Sequence, residues 1–319
     1  MMISPEIFTL FLLNILFAFF GFIAFVFSIK IVLKWDGNSS TELQYKLEKE
    51  SFLAATIIKY IFLLKVVLFL FFIFTLDKIS SLLSGAMCAA GVVDATAYGV
   101  YLILLKLLNL YLFAYWLVLD KEDVKLEEQP YTKLKFRVFT GAFFLLIAEI
   151  ILESMMFYAI DIKKVVDCCG VIYSSSASSY MSALFRMDAT WLLIAFYGNF
   201  LLLLLAYTFR KKELFTLFNA LFIIVALITL IAFFGTYIYE LPTHHCPFCF
   251  LQKEYYYVGY LLYISLFIGT FYGLIVSIVK TSAEDLQRNY KVSLFFTSLY
   301  VVVVTLYPIY YYSKNGLWL

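Results

Sequence analysis

Charge is scarce in this chain. Asp, Glu, Lys and Arg make up 14% of its 319 residues, where soluble domains carry about a quarter. A water-facing surface of the ordinary kind is excluded. The net charge of +2, with no basic cluster, also excludes a nucleic-acid partner. Proline and glycine occur 5 and 13 times, too thinly for a flexible linker, and no internal repeat is visible. One domain over residues 1–319 is the expectation. Histidine occurs only as His244 and His245, so a Ser-His-Asp arrangement has no imidazole outside that one loop.

Apolar residues fill the space that charge leaves. They reach 64% of the chain, with 20% aromatic. A membrane-spanning helix needs about 20 mostly apolar residues, and eight segments supply them: residues 7–29, 52–76, 97–119, 138–160, 188–209, 214–239, 258–279 and 292–312. The expected fold is an all-α polytopic membrane protein surrounded by lipid. The first segment is too long for a signal sequence and lacks a basic leader and a cleavage site, so it reads as a retained anchor.

Basic residues are distributed unequally between alternate connections. One set holds Lys30, Lys34, Lys46, Lys49, Lys121, Lys125, Lys133, Lys135, Arg137, Arg210, Lys211, Lys212, Lys280, Arg288 and Lys291. The other holds Lys78, Lys163, Lys164, Arg186, Lys253 and Lys314. The positive-inside bias puts the richer set in the cytoplasm, which places both termini outside a plasma (cytoplasmic) membrane. The cytoplasmic connections, such as "DKEDVKLEEQPYTKLKFR", mix both signs and read as solvated.

All five cysteines then fall on the outer side. Cys88 lies between the second and third spans, Cys168 and Cys169 between the fourth and fifth, and Cys246 and Cys249 between the sixth and seventh. None lies in a span, although thiols are ordinarily welcome in apolar interiors. The outer compartment is also where disulfides persist.

The stretch "THHCPFCFLQKEY" concentrates this chemistry. Two cysteines three positions apart close a small reversible disulfide or hold one metal ion. Cys249 is expected in or just before the first turn of the seventh span, where the helix dipole favours a thiolate. A protonated His245 would favour the thiolate of Cys246. His244, His245, Cys246 and Cys249, with Met87 nearby, also form a soft donor set suited to copper(I). An odd count of five leaves at least one thiol outside any intramolecular pairing. Adjacent cysteines pair poorly with each other, so Cys168 and Cys169 are expected to take different partners, Cys88 among them. The tyrosines that follow, "KEYYYVGYLLY", read as an interfacial aromatic belt.

"CPFCFLQKEY" resembles the C-x-L-C pattern, followed by two apolar residues and Q-R, of the disulfide-bond formation protein B family. The likeness implies a quinone-proximal pair at Cys246 and Cys249, with Gln252 and Lys253 at the polar positions and Lys253 standing where the pattern has Arg. The vitamin K epoxide reductase family is similar in placing loop cysteines before its C-x-x-C. Both families use four- or five-helix units, against eight spans here. The resemblance implies a membrane thiol–disulfide oxidoreductase that passes electrons to a quinone, with Cys88, Cys168 and Cys169 serving an extracytoplasmic thiol protein. A copper-binding or copper-transporting protein is the alternative, and a disulfide-braced transporter or respiratory subunit is a third.

Four charges lie deep within spans: Lys65, Lys106, Glu149 and Glu153 in the second, third and fourth, whereas Lys59 lies nearer the cytoplasm and can snorkel. Lone charges are costly at the bilayer centre, and Glu149 and Glu153 share a helical face. Mutual pairing is expected, either as interhelical glue or as a proton path with Glu149 as carrier.

Overall fold

The computed structural model describes residues 4–36, 39, 41–126, 129–161, 165–166, 188–279 and 282–319. Helices α1 (Pro5–Lys34), α2 (Glu42–Ser80), α4 (Gly99–Val124) and α5 (Thr132–Ala159) are each long and apolar enough to cross a membrane. So are α6 (Ala189–Thr208), α7 (Lys212–Tyr239), α8 (Val258–Ile278) and α9 (Ala283–Asn315). Helix α3 (Ala89–Asp94) is a single short turn segment. No strand occurs among the described residues. The chain is all-α with eight candidate spans, as a multi-pass membrane protein requires.

Several helices outrun their apolar stretches. Helix α2 starts ten residues before its apolar segment because Thr41 caps it, its side chain accepting from the Gln44 amide. Ser282 caps α9 in the same way through the Asp285 amide, nine residues before the apolar run. Hydropathy marks where lipid begins, whereas capping marks where the helix begins.

The residues group into two compact units. The first comprises Met1–Ser84 and Val92–Val165, and the second Gly85–Gly91 and Val166–Leu319. In the first, α1 packs on α2 and α5, and α4 closes the ring against the same two helices. Its core is aromatic: Phe62 stacks on Phe113 at 4.2 Å and meets Trp116 edge-on. Lipid solvates apolar side chains as well as a core does, so this packing stabilises through close contact rather than escape from water. Outward-facing Phe8, Ile15, Phe22 and Phe52 are exposed for the same reason.

The α4–α5 connection departs from the solvated reading. Asp120, Glu122, Asp123 and Lys135 are buried. Lys135 Nζ lies 2.9 Å from both Asp120 and Asp123, and Asp123 also accepts from the Tyr131 amide and the Thr132 hydroxyl. The two helices run beyond the apolar stretches, and their charged ends fold against each other.

In the second unit α8 is the most enclosed span, packed between α7 and α9. Two glycines permit this approach. A Cβ on Gly273 would stand 2.1 Å from Asn219 Cγ on α7, and one on Gly269 would stand 2.6 Å from Thr297 Oγ1 on α9.

Candidate functional site

Helix α7 contains one π-helical turn, Leu230–Phe234, and ends at Tyr239, where Glu240 adopts a left-handed conformation with φ 53°. The chain then turns through His244, His245 and the C-P-F-C segment. Cys249–Leu251 and Lys253–Tyr255 each form a 3₁₀ turn, and α8 begins only at Val258. Cys249 therefore lies nine residues before α8 and outside its first turn. Left-handed Tyr256 and Tyr257 interrupt the backbone between them, so the α8 dipole has no part in activating this thiol.

Three sulfurs meet in this unit. The Sγ atoms of Cys88, Cys246 and Cys249 all lie within 4.8 Å of one another. Cys88 and Cys246, 158 positions apart, approach to 3.5 Å. All three side chains are buried, Cys249 being the most exposed at 6%. The Phe248 amide donates to Cys246 Sγ at 3.4 Å, an interaction that favours negative charge on that sulfur. Cys168 and Cys169 lie outside the described residues, as do Lys163, Lys164 and Arg186.

The C-P-F-C segment is fixed by two tyrosine hydroxyls. Tyr239 Oη donates to the Cys246 carbonyl and accepts from the Phe250 amide at 3.2 Å. Tyr263 Oη donates to the Pro247 carbonyl at 2.7 Å. Gln252 Nε2 donates to the Met87 carbonyl at 3.1 Å, which ties the segment to the loop that carries Cys88. Beneath it Gly259 leaves no room: a Cβ there would stand 2.4 Å from Phe250 and 2.8 Å from Leu251.

The histidines take separate positions. His245 is buried, with Nδ1 3.1 Å from the Ile231 carbonyl inside the π turn. A carbonyl only accepts, so Nδ1 carries the proton and Nε2 is the basic nitrogen. His244 packs edge-on against Tyr239 at 4.3 Å. Burial is the largest influence on it and pushes its pKa down; His245 acts in the same direction, and Cys88 opposes them. His244 is thus electrostatically coupled to Cys88. Its Nε2 is buried without a hydrogen-bond partner among the described residues. Met87 exposes 78% of its surface and Lys253 is exposed too.

The first unit holds the intramembrane charges, which pair as expected. Lys106 Nζ lies 2.8 Å from Glu149 Oε1 and 2.7 Å from Glu153 Oε2, and Lys65 Nζ lies 3.1 Å from Glu149 Oε1. Two asparagines complete the network. Asn14 accepts from Lys65 at 2.8 Å and donates to Glu153 at 3.0 Å. Asn109 donates to Glu149 at 2.6 Å. Lys106 also lies 4.3 Å from the Phe72 ring centre. A cavity of about 20 Å³ opens among these groups, large enough for about one water-sized molecule.

No protein-family model, curated protein or solved structure matches this chain.

Sequence reasoning overlooked Tyr239, Tyr263, Asn14 and Asn109. Tyr263 belongs to the run read as an interfacial belt, a role that suits exposed Tyr256 and Tyr257. Asn109 lies three residues after Lys106, one turn along the same helical face, a visible signal that it shares the lysine's partners.

Proposed function

We propose that the chain is a membrane thiol–disulfide oxidoreductase whose Cys246–Cys249 pair reduces a quinone and whose Cys88 exchanges with that pair. The 3.5 Å approach of Cys88 Sγ to Cys246 Sγ carries this reading. In the first step the dithiol of Cys246 and Cys249 becomes a disulfide, and two electrons and two protons pass to the quinone. In the second the Cys88 thiolate attacks the sulfur of Cys246. The Cys246–Cys249 bond breaks, a Cys88–Cys246 disulfide forms, and Cys249 leaves as a thiolate.

Burial of the three sulfurs favours a small membrane-dissolved acceptor over direct docking of a protein. Cys168 and Cys169 would then relay to an extracytoplasmic thiol protein. Gln252 and Lys253, the polar positions that follow the pair in the resembling pattern, would contact the quinone. The basic-residue bias supports a plasma (cytoplasmic) membrane location with the cysteine loops and both termini outside.

The test is anaerobic mixing of the reduced protein with a short-chain quinone, following quinol absorbance and mapping disulfides by mass spectrometry. Wild type should form one quinol per pair. Cys246→Ser and Cys249→Ser should form none, and Cys88→Ser should retain pair oxidation. Equal quinol formation by the Cys246→Ser/Cys249→Ser chain would refute the reading. Orientation is checked with Tyr256→Cys in a chain without native cysteines: an impermeant maleimide should label it in intact cells.

A further inference from the structure

The same three sulfurs have a second capacity that needs no oxidant. A zinc-type ion sits about 2.3 Å from thiolate sulfur, so sulfurs sharing one ion stand roughly 3.8–4.0 Å apart in tetrahedral or trigonal geometry. The trio spans 3.5 Å at one edge and at most 4.8 Å at the others. Shifts of tenths of an ångström would bring it to those distances. The Phe248 amide already supports one thiolate.

Among the described residues the group whose donor atoms lie within 4.8 Å of one another is these three cysteines, and neither histidine belongs to it. The sequence pattern instead suggested His244 and His245 together with Cys246 and Cys249. The structure turns His245 Nδ1 toward the π turn and brings in Cys88 from the other loop.

We infer that, in its reduced state, the protein binds one thiophilic d¹⁰ ion, copper(I) or zinc(II), through the sulfurs of Cys88, Cys246 and Cys249. Soft sulfur donors favour such ions over magnesium or calcium. Ligation and the Cys246–Cys249 disulfide are mutually exclusive, because the disulfide consumes two of the three thiolates. A bound ion would therefore hold the pair reduced.

The full chain in detergent micelles, reduced and desalted anaerobically, is titrated with zinc(II) alone and with copper(I) alone against a chromophoric chelator. One equivalent of either ion retained at higher affinity than the chelator's supports the site, and the ion retained more tightly identifies its occupant. Changing even an outer-shell partner of a metal site lowers affinity about 10–100-fold, so Cys88→Ser and Cys249→Ser should each lose at least tenfold. Wild-type affinity in Cys88→Ser, or no retained ion in wild type, would overturn the inference. A variant that fails to fold is replaced by measurement on wild type: the added ion should protect all three thiols from alkylation by a small maleimide, and unprotected Cys88 would overturn it. No quinone is present in any arm, so a negative result here leaves the quinone assay to be judged separately.

Discussion

Glu149 Oε1 and Lys106 Nζ meet at 2.8 Å, on helices that present them 43 residues apart in sequence. The same oxygen receives Lys65, while the other receives Asn109. Every charge in this part of the first unit has an opposite partner, and removing one member leaves another uncompensated. Glu149→Gln is expected to destabilise the protein by about 3–5 kcal/mol. Lys106→Met/Glu149→Leu, which removes charge in a balanced pair, should cost less. Thermal unfolding in micelles distinguishes the two, and equal losses would refute the pairing account.

Tyr239→Phe removes one hydroxyl that serves two backbone groups of the sulfur loop, the Cys246 carbonyl and the Phe250 amide. A buried group left unsatisfied costs about 1–3 kcal/mol. The expected local effect is faster hydrogen exchange at Phe250 and faster maleimide labelling of Cys246 in the reduced protein. Unchanged exchange at Phe250 would show that the hydroxyl does not fix the loop.

Gly259→Ala should displace the C-P-F-C segment, since the added methyl meets Phe250 and Leu251 well inside van der Waals contact. Overpacking of this kind costs about 1–3 kcal/mol. Gly141→Ala is the control, because nothing lies within 4 Å of a Cβ there. The expected result is a lower melting temperature and reduced quinone-dependent oxidation for Gly259→Ala alone.

Gly273→Ala tests the α7–α8 contact. Its Cβ would overlap buried Asn219, whose amide donates to the Phe215 carbonyl and whose Oδ1 accepts from Ser293. Asn219→Ala on the same chain should recover part of the loss by vacating that volume. A double-mutant cycle in micelles measures the recovery, and strict additivity would contradict the contact.

The spans were legible because lipid imposes a length and a composition that few other environments demand. Their true ends were less so, although Thr41 and Ser282 are ordinary capping residues. Pairing of Lys65, Lys106, Glu149 and Glu153 was legible because unpaired charge is untenable at that depth. Asn14 and Asn109 escaped notice because an amide in an apolar run carries no comparable penalty. The sulfur site was half visible. Cys246 and Cys249 are local, but the approach of Cys88 depends on tertiary packing across 158 positions. The orientation of His245 depends on a π turn that the sequence does not signal.

Lys65, Lys106, Glu149 and Glu153 carry no net charge when all four are ionised. A transmembrane voltage does work of about 2.3 kcal/mol per elementary charge per 100 mV, so shifting this neutral quartet as a body across the bilayer would take no energy from the electric field. Moved as a body, the quartet would become responsive to membrane potential only if a proton entered or left it, so a voltage-dependent signal arising from such a movement would report a change in its protonation.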